Sequence, residues 1–258
     1  MIPANMFPAT WSRERRSAVT VATAIILMLL FLWLMAIPLS WLPAPIGPAA
    51  KQFAEGSRMT VDLTVRAGVA GILLGVLAAL GKLSKIWPLR MLAATYIWVF
   101  RGTPLLVQVM FAFSITLPNG DTFTEFQAAI VALALNVGAY NAEAIRAGIL
   151  AVPRGQHEAA RSLGLSAFQT FIDVIFPQAF RISLPALVNN IVSLLKDSSL
   201  AYVIGVVELS NIGNQVKSAS FEPVPVFITV AAIYLVLTTL MTQVSDAIER
   251  QLDVERHK

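Results

Sequence analysis

Residues 157–177 read HEAARSLGLSAFQTFIDVIFP. The stretch is amphipathic and helix-prone, carries Glu158, Arg161 and Asp173, and ends on Pro177, yet apolar segments flank it on both sides. Whether it lies outside a bilayer or inside a water-soluble body determines the architecture of the whole chain. Of 258 residues, 57% are hydrophobic and 13% charged, against roughly 25% charged in soluble domains. With a mean hydropathy of +0.71, the surface cannot mostly face water, and an all-α integral membrane protein is predicted. The absence of cysteine excludes disulfides and thiolate metal sites. His157 and His257 are the only histidines, which leaves little for imidazole chemistry. For a net charge of +4, the placement of the charges matters more than their sum, and no nucleic-acid partner is expected.

Working outward from residues 157–177, about six stretches meet the roughly 20 apolar residues that a spanning helix needs. They are Val19 to Trp41, Met59 to Gly81, Leu89 to Leu117, Phe126 to Leu150, the more polar Leu184 to Val207, and Val224 to Ser245. The first follows Arg13, Arg15 and Arg16, as a signal peptide would, but exceeds the roughly 7–15 residues of a signal core, so a retained helix is expected. In the second, Asp62 and Arg66 are spaced to pair, and Gly71 and Gly75 give a small-xxx-small spacing for close packing. Pro118-Asn119-Gly120 marks a turn after the third. One body is expected, divided as residues 1–57 (N-terminal cytoplasmic segment, first helix, periplasmic loop), 58–248 (core) and 249–258 (cytoplasmic tail).

With the N-terminus inside and the spans alternating, thirteen of the 19 lysines and arginines fall on the cytoplasmic side. Lys51, Arg58, Arg66 and Lys217 fall outside. The asymmetry predicts N-in and C-in and puts residues 157–177 in the cytoplasm. There Pro153 stops the fourth span and a new helix begins near Gln156. Ala159, Ala160 and Gly164 thin one surface, while Leu163, Ala167 and Phe171 make an apolar stripe. Such a helix either docks into another protein's groove or lies on the membrane and its own bundle.

The spelling distinguishes these readings. Glu158-Ala159-Ala160, three residues, Gly164, nine residues, then Val174-Ile175-Phe176-Pro177 resembles the EAA signature of bacterial ATP-binding-cassette importer permeases, with Val174 and Phe176 as conservative departures. Phe100 to Gln108 (FRGTPLLVQ) is similar to a segment of the polar amino-acid permeases of that group. So are Asn136 to Tyr140 with Ala142-Glu143 and Arg146 to Gly148, Leu195 to Leu200, and Ile204 to Leu209. The likeness runs from about 58 to 248 and leaves out the first helix. It implies a type I importer transmembrane domain in the bacterial inner membrane, with a cytoplasmic coupling helix whose Glu158, Ala159, Ala160, Leu163 and Gly164 meet an ATPase subunit. It also implies a second permease subunit, the same chain or a similar one, and an extracytoplasmic solute-binding protein. ATP and magnesium then belong to the ATPase, and this chain carries no cofactor.

Several polar residues fall within the spans, where ionisable groups normally face a bundle interior or water. Arg101 is about a dozen residues into its span, roughly 18 Å deep at 1.5 Å per residue. It either pairs with a carboxylate, Glu143 being the expected partner, or senses a substrate carboxylate beside the helix-breaking Gly102 and Pro104. Asn136, Tyr140 and Glu143 share one face of the fourth span, for hydrogen bonds between helices and in part for substrate. Lys196 and Asp197 line a translocation path or snorkel to water. No enzyme site is legible: His157-Glu158 lacks the second histidine of a zinc protease motif, because Arg161 stands there. Gly75, Gly81 and Lys82 miss the phosphate-loop spacing. The expected function is the permease subunit of an ATP-driven amino-acid importer. The alternatives are a proton-coupled secondary transporter using Glu143 or Asp197, and a purely structural anchor.

Overall fold

The computed structural model describes residues 13–115 and 122–253. The chain forms helices α1 (Arg13–Leu34), α2 (Ala50–Leu83), α3 (Trp87–Gly102), α4 (Leu105–Ser114) and α5 (Glu125–Leu150). It continues with α6 (Arg154–Ser162), α7 (Phe176–Asp197), α8 (Leu209–Ser220) and α9 (Pro223–Asp253). A π-helical turn, Thr170–Ile175, leads into α7, and a 3-10 segment, Ser198–Ile204, follows it. Among the described residues five helical stretches are long and apolar enough to cross a membrane, and a sixth crossing is the bent pair α3–α4.

Close packing sets the direction of each crossing. Gly71 and Gly75 of α2 lie against Val137 and Asn141 of α5, where a Cβ on Gly75 would come 2.6 Å from Asn141 Cβ. Equal steps of four along both helices mean that α2 and α5 run parallel, as a small-residue seam permits. The intervening α3–α4 pair must therefore return the chain across the bilayer. Helix α7 is antiparallel to α5: Asn190 Nδ2 donates to Asn141 Oδ1 at 2.9 Å, and Gly148 meets Ser183. The spans thus alternate, and α6 projects from the end that also holds Lys82. At the opposite end Arg58 Nε donates to Leu32 O at 3.1 Å and lies over Trp33. This fastens α1 to α2.

Four boundaries differ from the sequence reading. Helix α2 begins at Ala50 rather than near Met59. At about 1.5 Å per residue its 34 residues reach well beyond a 30 Å core, so its polar first turns lie outside the apolar window that marks a span. The third span is two helices bent by 111°. The fifth crossing starts at Ala167 and runs to Ile204, because its first turns carry Asp173, Gln178 and Arg181 beside apolar residues. The helix of the cytoplasmic segment stops at Ser162. The expected turn at 118–120 and the tail beyond 253 lie outside the described residues. Asp62 and Arg66 pair at 2.9 Å as the spacing predicts.

Candidate coupling segment and membrane face

Helix α6 begins after Pro153, whose ring sits where a helix start needs no N–H. It ends in a Schellman turn: Leu165 N donates to Ala160 O at 3.2 Å and Gly164 N to Arg161 O at 3.0 Å. Gly164 occupies φ +83°, a conformation that a side chain would strain. Two residues on, Ser166 and Gln169 form a reciprocal capping box that starts the next helix. The chain is thereby turned sharply, and the stripe of Leu163, Ala167 and Phe171 does not form on one helix. Leu163 is 83% exposed, whereas Phe171 packs on Val152, Ile175 and Ala179. Glu158, Ala159 and Gly164 are exposed with Leu163. Ala160 is only 3% exposed and faces the body of the protein, so it does not share the outward surface expected of it.

Within the membrane the α3–α4 bend follows from Pro104. In a continuous helix Phe100 O would accept from the N–H of residue 104, and proline has none. Two side chains replace that donor. Gln108 Nε2 donates to Phe100 O (2.9 Å), Thr103 O (3.1 Å) and Thr103 Oγ1 (2.8 Å). Asn136 Nδ2 donates to Phe100 O (3.1 Å) and Gln108 Oε1 (3.0 Å). The break is thus stapled to α5, and Asn136 is a structural fastening at this depth. Gln108 had no assigned role from sequence. Its signal was its place four residues after Pro104, in reach of the carbonyls that the proline leaves open.

The expected Arg101–Glu143 pair does not form. Glu143 bridges Lys82 (2.5 Å) and Arg146 (2.8 Å), because the parallel register of α2 and α5 puts Lys82 a little over a turn beyond it, within reach of a long side chain. Arg101 instead sits at the exposed end of α3, its guanidinium 5.2 Å from the Tyr140 ring centroid, a cation–π distance. Tyr140 is 42% exposed. Lys196 is exposed and Asp197 half-buried at the last turn of α7. Three of the six candidates, Arg101, Tyr140 and Lys196, therefore open outward, Asn136 and Glu143 are occupied in fastening helices, and Asp197 lies between.

Comparison with known proteins agrees with this construction. The model of the binding-protein-dependent transport system inner membrane component family matches residues 71–254. The L-cystine transport system permease protein TcyB of Bacillus subtilis (strain 168) is 41% identical over 77% of this chain and 85% of its own. The glutamine transport system permease protein GlnP of Escherichia coli (strain K12) is 36% identical over 81% of this chain and 96% of its own. Among solved structures, a chain of an amino acid ABC transporter crystallised with histidines superposes with a TM-score of 0.75 at 40% identity, covering 79% of this chain and 95% of that one. The inward-facing MetNI methionine ABC transporter shares the fold, with a TM-score of 0.68 at 23% identity over 80% and 98%. The chain belongs to the family of inner membrane components of binding-protein-dependent transport systems.

Proposed function

We propose that the chain is the membrane-spanning permease subunit of an ATP-driven importer of amino acids, and that α6 with the turn after it is its contact with a separate ATPase. The observation that carries this reading is the rigid, capped turn that leaves Glu158, Ala159, Leu163 and Gly164 outward at the lysine- and arginine-rich end of the bundle. An apolar residue as exposed as Leu163 beyond the membrane spans is a docking group in search of a groove. The names of the relatives, permeases for L-cystine, arginine and glutamine, support an amino acid as the solute.

In this reading two permeases, identical or similar, meet in the inner membrane with both termini cytoplasmic. Residues 58–248 are the core, 1–57 add α1, its loops and the first turns of α2, and 249–258 are a tail. Two ATPase subunits hold ATP and magnesium below, and an extracytoplasmic binding protein delivers solute above. Closure of the ATPases moves the paired α6 segments and opens the bundle outward. Arg101, Tyr140, Lys196 and Asp197 border the path, while Asn136 and Glu143 hold its helices in register. A proton-driven cycle through Glu143 would need that carboxylate free to exchange its proton, and it is tied to two cations.

Affinity purification of the native chain and of Glu158→Lys from the native membrane tests the contact. An ATPase subunit is expected with the native chain and lost with the variant; its absence from both removes the importer reading. Arg101→Ala is expected to lower uptake severalfold with normal amounts of assembled protein in the membrane. Undiminished uptake by assembled Arg101→Ala removes Arg101 from the path.

A further inference from the structure

On α7 the residues Ala186, Asn189, Ser193 and Lys196 are all exposed. Their spacings of three, four and three place them in one stripe along the helix. From Ile182 onward the other positions of the helix are buried or half-buried. Ser183, Leu187 and Leu194 are buried, Asn190 is bonded to Asn141 of α5, and Ile191 packs where Gly68 of α2 leaves room. The pairs Asn141–Asn190 and Gly148–Ser183 fix the antiparallel register. In that register Tyr140 stands level with Ile191, midway between Asn189 and Ser193 and about 3 Å from each along the axis. Helix α2 packs on both α5 and α7, so it closes one side of the pair. Tyr140, with Arg101 over its ring, and the Asn189–Ser193 stripe open away from it.

This surface carries a guanidinium, a phenol, an amide, a hydroxyl and, further along, an ammonium, all within the spans. On α9, by contrast, Val224, Ile228 and Leu235 present apolar side chains outward. An amide or hydroxyl held against hydrocarbon without a partner is strongly disfavoured, and intramembrane polar groups accordingly face water or other protein. We infer that Asn189 and Ser193 line the solute path and accept hydrogen bonds from a passing solute's ammonium, while Arg101 meets its carboxylate. The pair would then recognise the zwitterionic head common to amino acids and leave the side chain unread. This assignment rests on the importer reading and adds residues that neither the motifs nor the ion pairs single out.

The chain contains no cysteine, so single substitutions give a clean labelling background. Asn189→Cys, Ser193→Cys, Ile228→Cys as the lipid-facing reference and Phe221→Cys as the water-facing reference, made in the full chain, are assembled with the partners and treated with a charged, membrane-impermeant methanethiosulfonate during ATP turnover. Positions 189 and 193 are expected to react at least tenfold faster than 228. Reaction no faster than at 228, with 221 reacting, overturns the proposal. Uptake of a radiolabelled amino-acid mixture then separates contact from mere proximity. Ser193→Val, which keeps the shape and removes the hydroxyl, is expected to lose about tenfold, and Ser193→Thr to retain most activity. Equal uptake by the two variants overturns the solute contact. If the native chain itself shows no uptake and no ATPase accompanies it, the importer reading has failed, not the placement of the stripe.

Discussion

Glu208→Ala is expected to destabilise the outer end of the bundle by on the order of 3 kcal/mol or more, from about 1–3 kcal/mol for each buried donor left without a partner. Glu208 is fully buried and caps α8. Its Oε1 accepts from Asn211 N at 2.8 Å, and its Oε2 from Ser210 N at 2.9 Å and from the Tyr234 hydroxyl at 2.9 Å. Thr60 of α2 accepts from Leu209 N at 3.1 Å in the same knot. One carboxylate therefore joins α2, α8 and α9, and alanine would orphan two amides together and leave the Tyr234 phenol only Ser210 Oγ. A fall in the unfolding temperature of the detergent-purified protein, with α8 becoming sensitive to added protease, is the expected readout. An unchanged unfolding temperature would refute it.

The same residue gives the protein a pH dependence of definite sign. Burial pushes the Glu208 carboxyl above its ordinary value of 4.5, against the hydrogen bonds from Ser210, Asn211, Tyr234 and Thr60 that favour the charged form. The folded state therefore holds this proton to higher pH than the unfolded chain does. The stabilisation from that difference is fully present below about 4.5 and is lost as pH rises through the raised folded value. Native protein should lose unfolding temperature across that window relative to Glu208→Gln, which cannot titrate there. A native protein that gains stability over the window, relative to the variant, has the opposite linkage.

Much of the bundle was legible because apolar length is a strong signal and the bilayer imposes it. The glycine seam at Gly71 and Gly75, the Asp62–Arg66 pair and the outward Glu158 with Gly164 all follow from spacing that one helix or one turn fixes locally. Errors arose where a contact depends on how two helices are registered. Arg101 and Glu143 looked like partners because both are ionisable and both lie in spans. The parallel alignment of α2 and α5 supplies Lys82 instead, and nothing in either segment alone encodes that alignment. The cytoplasmic stripe failed for the reverse reason: a local signal, Gly164 in the left-handed region, outweighed a periodic pattern running through it. Helical periodicity in residues 157–177 is real on each side of the turn but does not survive across it.

The bend at Pro104 shows how a proline that removes one donor can be made into a fixed feature, and Gln108→Leu is expected to undo it. Leucine approximates the glutamine's bulk but donates nothing to Phe100 O, Thr103 O or Thr103 Oγ1, and leaves Asn136 without the Gln108 oxygen. Phe100 O keeps only Asn136 Nδ2, and each polar group left without a partner costs about 1–3 kcal/mol where the bilayer offers no water in compensation. A loss of about 3 kcal/mol in the bent arrangement corresponds to roughly a hundredfold in its population at 1.4 kcal/mol per tenfold. Uptake should fall by about that factor with the protein still inserted. The effect passes through geometry: Arg101 is held over Tyr140 only while α3 ends where it does. Asn136→Ala in addition removes the last side-chain donor to Phe100 O, so the double variant should be clearly worse than Gln108→Leu alone, with losses that do not simply add because both residues act on one group. Fully additive losses would mean that α4 and α5 are held to the break independently, and that the bend survives on either fastening.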